Sequence, residues 1–423
     1  MKGYSETLDY LYGLEKFGIL FGLDNVRWIL SLIGNPQDSF RTVHIAGTNG
    51  KGSVASMVST TLRVAGYRTG AYTSPHLISF TERITVDGEP VPEGEVVRLT
   101  RLIKARIDEE DKDRSFTFFD FTTALAFEYF KDQGVEVAVV EVGLGGRLDS
   151  TNVVQPLVSV ITNVEFDHQD YLGTTIEEIA REKAGVIKEN VPVVTGAKGA
   201  ALAIIRDAAA GRADLYVQGE AFAFMKKGEH TMSYEGIGAS FDALSVNLRG
   251  DHQLFNASLA VCTLELLAAR GFVIDEKVIR QGLSTTLWPG RLELIPEAPG
   301  KPAVLLDGAH NPDGARTLAA FLRTHFPDRK KVLLFGVMKD KDFRGMLFEL
   351  LPVVQRVILT KPEIARAALP ADIAAYAPGA EVTDSVRDGI DKAFEAADER
   401  DLVVIAGSFY TVGEAKRLLD EPD

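Results

Sequence analysis

One lysine, Lys51, stands in the run IAGTNGKGSVASMVSTTLRVAG, between a hydrophobic strand pattern and a helical one. In that setting a glycine-rich turn aims backbone N–H groups and a helix N-terminus at phosphate, and the lysine adds the neutralising charge. The spelling departs from GxxxxGK[ST]: Ile45 stands at the first glycine position, and Gly52 separates Lys51 from Ser53. Further along, Ser74, Glu141 and His168 each follow a β-rich run. Three strand ends of an open parallel sheet would bring a hydroxyl, a carboxylate and an imidazole to the edge where such sheets bind ligands. Taken alone, Glu141 reads equally as a metal ligand or a surface carboxylate, and a lone loop histidine is ordinarily solvated. Lys183, in REKAGVIK, reads first as a solvated lysine on an amphipathic helix. Asp307 and His310, in DGAHNP, close a later strand, although Asp307 and Asn311 also suit a turn and a helix cap. Arg291, at the linker, reads first as a solvated hinge charge.

The elements that must position these groups alternate short β-branched runs with longer amphipathic stretches, the pattern of an α/β fold with a parallel sheet. Strands are expected at RTVHIAG, RTGAYT, VEVAVVEVG, PLVSVITNV and VPVVT. Helices are expected from Ser53 to Ala65, Glu93 to Glu110, Phe118 to Phe130, Ile176 to Ile187 and Gly199 to Ala210. Residues 215 to 248 break the rhythm with short alternating runs and predict a small antiparallel β appendage. Helices from His252 to Arg270 and from Asp275 to Leu283 follow. WPGRLELIPEAPGKP then concentrates Pro and Gly and marks the best domain boundary. Beyond it, AVLLDGA, KVLLFGV, RVILT and LVVIAG alternate with helical stretches as a second, smaller Rossmann-like unit. The division predicted is 1–290 and 291–423.

The 423 residues are 46% hydrophobic and 25% charged, enough to bury two cores and too apolar for a disordered chain. A formal charge of -14 has the wrong sign for a nucleic-acid binder, so any anionic ligand must be met by local cations. The single cysteine, Cys262, excludes an internal disulfide or a multi-cysteine metal site and reads as a buried helical thiol. No signal-peptide pattern opens the chain, and its apolar runs fall short of the roughly 20 residues that span a bilayer. A cytoplasmic protein with no membrane or nucleic-acid partner is expected.

The string GTNGKGS resembles the phosphate loop of the Mur ligase superfamily, and the glycine before its serine resembles the folylpolyglutamate synthase and dihydrofolate synthase branch. FGLDNV, TSPHL, EVGLGGRLDSTN, DHQDYLG, EKAGVIK, HQLFNA, PGRLE, DGAHNP and GSFYTVGEA agree in the order that family has them and cover nearly the whole chain. The resemblance implies a phosphate-loop ATP-binding domain joined by a hinge to a C-terminal ligase domain. It implies ATP-dependent addition of L-glutamate to dihydropteroate or to reduced folates through an acyl phosphate; a monomer is expected.

The same resemblance implies roles residue by residue. Thr48, Asn49, Gly50, Lys51, Gly52 and Ser53 would cradle ATP, with Asn256, Arg291 and Asp307 also on the nucleotide. Ser74, Glu141 and His168 would hold magnesium, of which two ions are expected, and Lys183 would be carbamylated. Lys51, Lys183 and His310 are the expected catalytic groups. The pterin-bearing acid would lie near Gly22, Leu23 and Asp24, near TFFDFTTALAF, and near Arg147, Asp149 and Asn152. Asp120 stands where the family commonly has glutamate, so its direct contact is in question. The rivals are a Mur-type ligase acting on a peptidoglycan precursor and a P-loop ATPase switch.

Overall fold

The computed structural model describes residues 3–18 and 22–421. Strands β1 (Arg41–Ala46), β2 (Thr69–Tyr72), β3 (Ile84–Val86), β4 (Glu89–Pro90), β5 (Val137–Glu141), β6 (Val158–Ile161), β7 (Val193–Thr195) and β8 (Leu215–Val217) form one sheet in the order β4-β3-β2-β5-β1-β6-β7-β8. It is parallel from β2 to β8, with β3 and β4 as an antiparallel edge. Both faces are covered, which is why the central strands read as unbroken apolar runs. In β5, Val137 and Val139 pack with the helices Lys51–Val64 and Asp251–Ala268, while Ala138 and Val140 face the helix Phe118–Asp132. Each of these buried valines contributes about 1.5–3 kcal/mol.

An antiparallel meander of β9 (Ala223–Gly228), β10 (Thr231–Glu235) and β11 (Ser240–Ser245) packs on the same core. The second sheet comprises β12 (Glu293–Ile295), β13 (Ala303–Asp307), β14 (Lys331–Phe335), β15 (Arg356–Leu359), β16 (Glu381–Val382) and β17 (Leu402–Ala406). Its order is β12-β13-β17-β14-β15-β16, parallel except for β12. The expected α/β class is therefore observed: a parallel sheet behind the phosphate loop, a small antiparallel appendage and a smaller C-terminal α/β unit.

Two readings need correction. Leu215–Val217, assigned from its alternation to the appendage, instead pairs in parallel with β7 and closes the large sheet, because the helix Gly199–Ala209 is the crossover that returns the chain there. The Pro/Gly-rich boundary segment also contains β12, which pairs antiparallel with β13 and so belongs to the second sheet. Among the described residues, no helix is long and apolar enough to cross a membrane.

Candidate active site

Because β2, β5, β1 and β6 run parallel, the segments leaving their C-terminal ends meet on one edge. Ile45 pairs with Glu141, and Ala46 with Ile161, which brings the phosphate loop between those two exits. Hydrogen bonds fasten that loop to the β6 exit. Asn49 N donates to Asn163 Oδ1 (2.8 Å), Thr162 Oγ1 donates to Asn49 O (2.6 Å), and Thr48 Oγ1 donates to Glu165 O (3.1 Å). Lys51 opens the helix Lys51–Val64, and its Nζ donates to the Gly47 and Thr48 carbonyls at 3.1 Å each. Gly52, the residue that breaks the usual loop spelling, has a packing reason. A Cβ there would sit 2.6 Å from the Trp288 ring, which the interdomain segment lays against the loop.

A cavity of about 100 Å³ joins Lys51, Ser74, Glu141, His168, Lys183 and His310. Glu141 is buried; it accepts the Ser74 N–H (3.2 Å) and has no ion-pair partner among the described residues. Burial raises its carboxyl above the usual range, against the pull of Lys51 and of the Ser74 amide. An unpaired buried carboxylate is costly unless a cation joins it. With a hydroxyl and an imidazole on the same cavity, it fits a hard divalent ion. Among the described residues no group of three His, Cys, Asp or Glu side chains is gathered for a metal, so any ion here takes part of its shell from hydroxyl, phosphate or water.

Lys183 is buried, and its Nζ donates to the Gly47 carbonyl (2.9 Å). Burial, with the Lys51 charge added, lowers its ammonium to about 7. The amphipathic-helix reading as a solvated lysine is thus overturned, because the helix Ile176–Ala184 turns this residue inward against the loop.

The second domain completes the cleft. Arg291 lies 4.3 Å from the Phe409 ring centroid, and Asp307 accepts the Leu292 and Ala309 amides at 3.0 Å each. Asn311 Nδ2 donates to Asn49 Oδ1 (3.1 Å) and Asp167 Oδ2 (3.2 Å), and Asn49 Nδ2 donates to Asp313 Oδ2 (2.8 Å). Lys341 Nζ donates to Asp167 Oδ1 (2.7 Å) and lies 3.1 Å from His168 Nε2. Burial alone would raise Asp167, but the hydrogen bond and charge of His310, with His168 and Lys341, hold it well below the carboxylate range. A cavity of about 330 Å³ beside this junction is lined by Asn49, Ser53, Asn256, Arg291 and Asp307 from both domains.

Among the residues proposed for the acid, Phe119 stacks on Tyr72 (5.7 Å) and covers Gly143 on the cleft wall, whereas Phe118 and Phe121 are core. Asp120 is buried with both oxygens taken: Oδ2 accepts the Thr117 amide (2.9 Å) and hydroxyl (2.8 Å), and Oδ1 accepts Ser150 Oγ (2.7 Å). It ties a helix cap to the following loop and does not face the cleft. Arg147 is exposed and pairs with Glu182 (2.8 Å). Asn152 is buried and donates to the Arg147 and Gly185 carbonyls at 3.0 Å each. Gly22, Leu23 and Asp24 lead into the helix Asp24–Leu32, with Leu23 packed on the aromatic core; Phe21 of the same motif lies outside the described residues.

Four polar residues escaped the sequence reading: Arg83, Asn163, Asp167 and Lys341. Asp167 stood beside His168 in DHQDYLG and Lys341 in the loop after KVLLFGV, but nothing local marks two such groups as partners across domains. Arg83 is buried, donates Nε to His76 Nδ1 (2.8 Å) and has no carboxylate partner among the described residues.

The domains also meet without polar contact. A Cβ on Gly413 would lie 1.8 Å from the Leu77 carbonyl, which sits just after Ser74 and Pro75. Gly413→Ala is expected to destabilise the protein by about 1–3 kcal/mol, the usual scale of overpacking. A thermal melt checks this, and an unchanged midpoint would mean that the contact yields freely.

A phosphate loop and a second α/β domain facing each other across one cleft define a nucleotide-dependent ligase of Mur type. Residues 45–264 match the Mur ligase middle domain, and residues 290–409 the Mur ligase glutamate ligase domain. A Bacillus subtilis dihydrofolate synthase/folylpolyglutamate synthase is 34% identical across 98% of this chain and 99% of its own. The Mycobacterium tuberculosis folylpolyglutamate synthase, solved with ADP and AMPPCP, superposes with a TM-score of 0.90 at 34% identity, covering 99% of each chain. A bifunctional folylpolyglutamate synthase/dihydrofolate synthase with Mn, AMPPNP and L-glutamate bound gives 0.89 at 32% identity, over 100% of this chain and 99% of that one. The chain belongs to the dihydrofolate synthase/folylpolyglutamate synthase family.

Proposed function

We propose that this chain joins L-glutamate to dihydropteroate and to the γ-carboxylate of reduced folates, using ATP. The observation that carries the reading is a single cleft holding Lys51, a buried unpaired Glu141 and, from the other domain, Arg291 and Asp307. A substrate carboxylate oxygen attacks the γ-phosphorus of ATP, ADP leaves, and an acyl phosphate forms. The glutamate nitrogen then attacks the acyl carbon, and the tetrahedral intermediate expels phosphate.

Each group has a task in that sequence. Lys51 and the amides of residues 48 to 53 hold the phosphates, and Asn256, beside Gly50, closes the loop from the neighbouring helix. Arg291 and Asp307 hold the nucleotide from the second domain. Ser74, Glu141 and His168 would hold a magnesium ion, which supplies charge neutralisation at the phosphates. A carbamylated Lys183 would help hold a second ion. The imidazole Nδ1 of His310 lies 2.9 Å from the Gly308 carbonyl and so carries the proton. Its Nε2 faces Asp167 Oδ2 at 3.5 Å, so beside that carboxylate the ring is held as an imidazolium that brings positive charge to the phosphoryl group being transferred. One chain, as domains 1–290 and 291–423, supplies every group named, which is what a monomeric enzyme requires.

For the acid, the Arg83 guanidinium, 5.3 Å from the Phe118 ring centroid and without a carboxylate partner among the described residues, is the proposed carboxylate anchor. Arg83→Gln should raise KM for the acid by about 10- to 100-fold, as loss of a charge-assisted contact does, with KM for ATP unchanged. Equal changes in both constants would assign Arg83 to folding alone.

The reaction is tested by incubating the protein with ATP, magnesium, L-glutamate and either dihydropteroate or a reduced folate, then weighing the products. A glutamyl mass increment with both acids is expected. ADP release without any acid would favour an ATPase switch, and stimulation by a UDP-linked acid alone would favour a peptidoglycan ligase.

A further inference from the structure

His44 lies in the middle of β1 and is fully buried, yet neither the phosphate loop nor the cavity uses it. Its Nε2 is 2.9 Å from Thr151 Oγ1, and its Nδ1 has no partner among the described residues. The Thr151 hydroxyl and amide both bond Asp149 Oδ1, the amide at 3.0 Å. The other oxygen, Asp149 Oδ2, accepts the Leu144 amide at 2.8 Å. Gly143, Leu144 and Gly145 form the cleft wall immediately after Glu141.

Counting protons assigns the direction of this chain. An ionised carboxylate only accepts, so Thr151 spends its one hydroxyl proton on Asp149. Its oxygen must then accept from His44, which carries its proton on Nε2 and leaves Nδ1 bare, the nitrogen found without a partner. Burial, with the charge of Lys188 added, lowers the imidazolium to about 3, in keeping with a neutral ring.

We infer that His44 is a positioning residue: through Thr151 and Asp149 it fixes the Gly143–Leu144 wall that borders the reacting carboxylate, and Asp149 acts on the acid through the backbone and not by contact. Phe119 also packs closely on Gly143, so both a ring and a carboxylate hold this wall. The effect on the acid rests on the ligase reading above; the tautomer and the loop order do not.

The first measurement therefore needs no substrate. Burial raises the Asp149 carboxyl to about 6, so the count applies above that pH. The His44 ring should stay neutral from pH 5 to 8, and its ¹⁵N signals should report Nε2–H at pH 7 to 8; titration near the ordinary histidine value, or an Nδ1–H tautomer at pH 7 to 8, would overturn the inference. Next, Leu144 amide exchange should be about 10-fold faster in Thr151→Val than in the wild type, and restored in Thr151→Ser, which keeps the hydroxyl. His44→Gln, which can still present an N–H, should stay close to wild type. In Thr151→Val, KM for the pterin acid should rise about 10-fold with KM for ATP within about twofold. Unchanged exchange in Thr151→Val, or a rise in both constants that Thr151→Ser does not reverse, would reject the positioning role. Should Thr151→Val fail to fold, the wild-type ring signals still decide the matter. Absence of ligation with either acid, alongside the expected tautomer and exchange, would strike the ligase reading alone.

Discussion

Lys51→Ala is expected to lower turnover by about two to four orders of magnitude while the fold survives. The side chain opens a helix, contributes little to the apolar core and, among the described residues, bonds only the loop carbonyls of Gly47 and Thr48. Burial lowers its pKa, helped by Arg291 and Lys341, while Glu141 and Asp167 pull the other way, and among the described residues it has no ion-pair partner. ATP brings the partner. With a net charge of -14, the protein has no general attraction for the nucleotide, and Lys51 with Arg291 must supply it locally. ADP release measured with acid and glutamate present, beside a thermal melt, checks both halves of the expectation. Turnover near wild type would remove the phosphate-loop assignment.

The second large effect concerns Lys183. A lysine at its ordinary pKa of about 10.4 is neutral to roughly one part in 2500 at pH 7. Lowered to about 7, this amine is neutral about half the time, roughly a thousandfold more reactive toward CO2. Carbamylation turns a cation beside Gly47 into an anion that can hold metal or phosphate-bound cation in place. Lys183→Ala should lose at least about two orders of magnitude in turnover, the scale of a preorganised charge. A short carboxylate added to that variant should restore part of it. In the wild type the neutral fraction rises with pH through about 7, so CO2-depleted enzyme equilibrated with the same CO2 pressure should regain activity faster at pH 8 than at pH 6. Bicarbonate-independent turnover, with a bare amine in the density of bicarbonate-supplied crystals, would reject carbamylation.

Much of the architecture was legible because it is written in local pattern. Strand, glycine-rich turn and helix around Lys51 are contiguous, and the parallel order of β2, β5, β1 and β6 carries Ser74, Glu141 and His168 to one edge whatever their side chains do. Leu215–Val217 was misplaced because three residues carry no record of which sheet edge they will meet. Asp120 and Arg147 show the limit for side chains: type and motif marked both as polar and near the cleft, but their partners, Thr117 with Ser150 and Glu182, were chosen by folding.

By itself the sequence determined the α/β class, the phosphate loop and the strand ends that bear the chemistry, since periodicity and turn residues act over a few neighbours. Only the tertiary structure decided that Lys183 is buried and turned on the loop. It alone joined Asp167 to Lys341 and Asn49 to Asn311 across the domains, left Arg83 without an anion among the described residues, and linked His44 to Asp149 through Thr151. Those outcomes depend on burial and on contacts between residues more than a hundred positions apart, where desolvation and the count of donors and acceptors set each side chain's charge and partner.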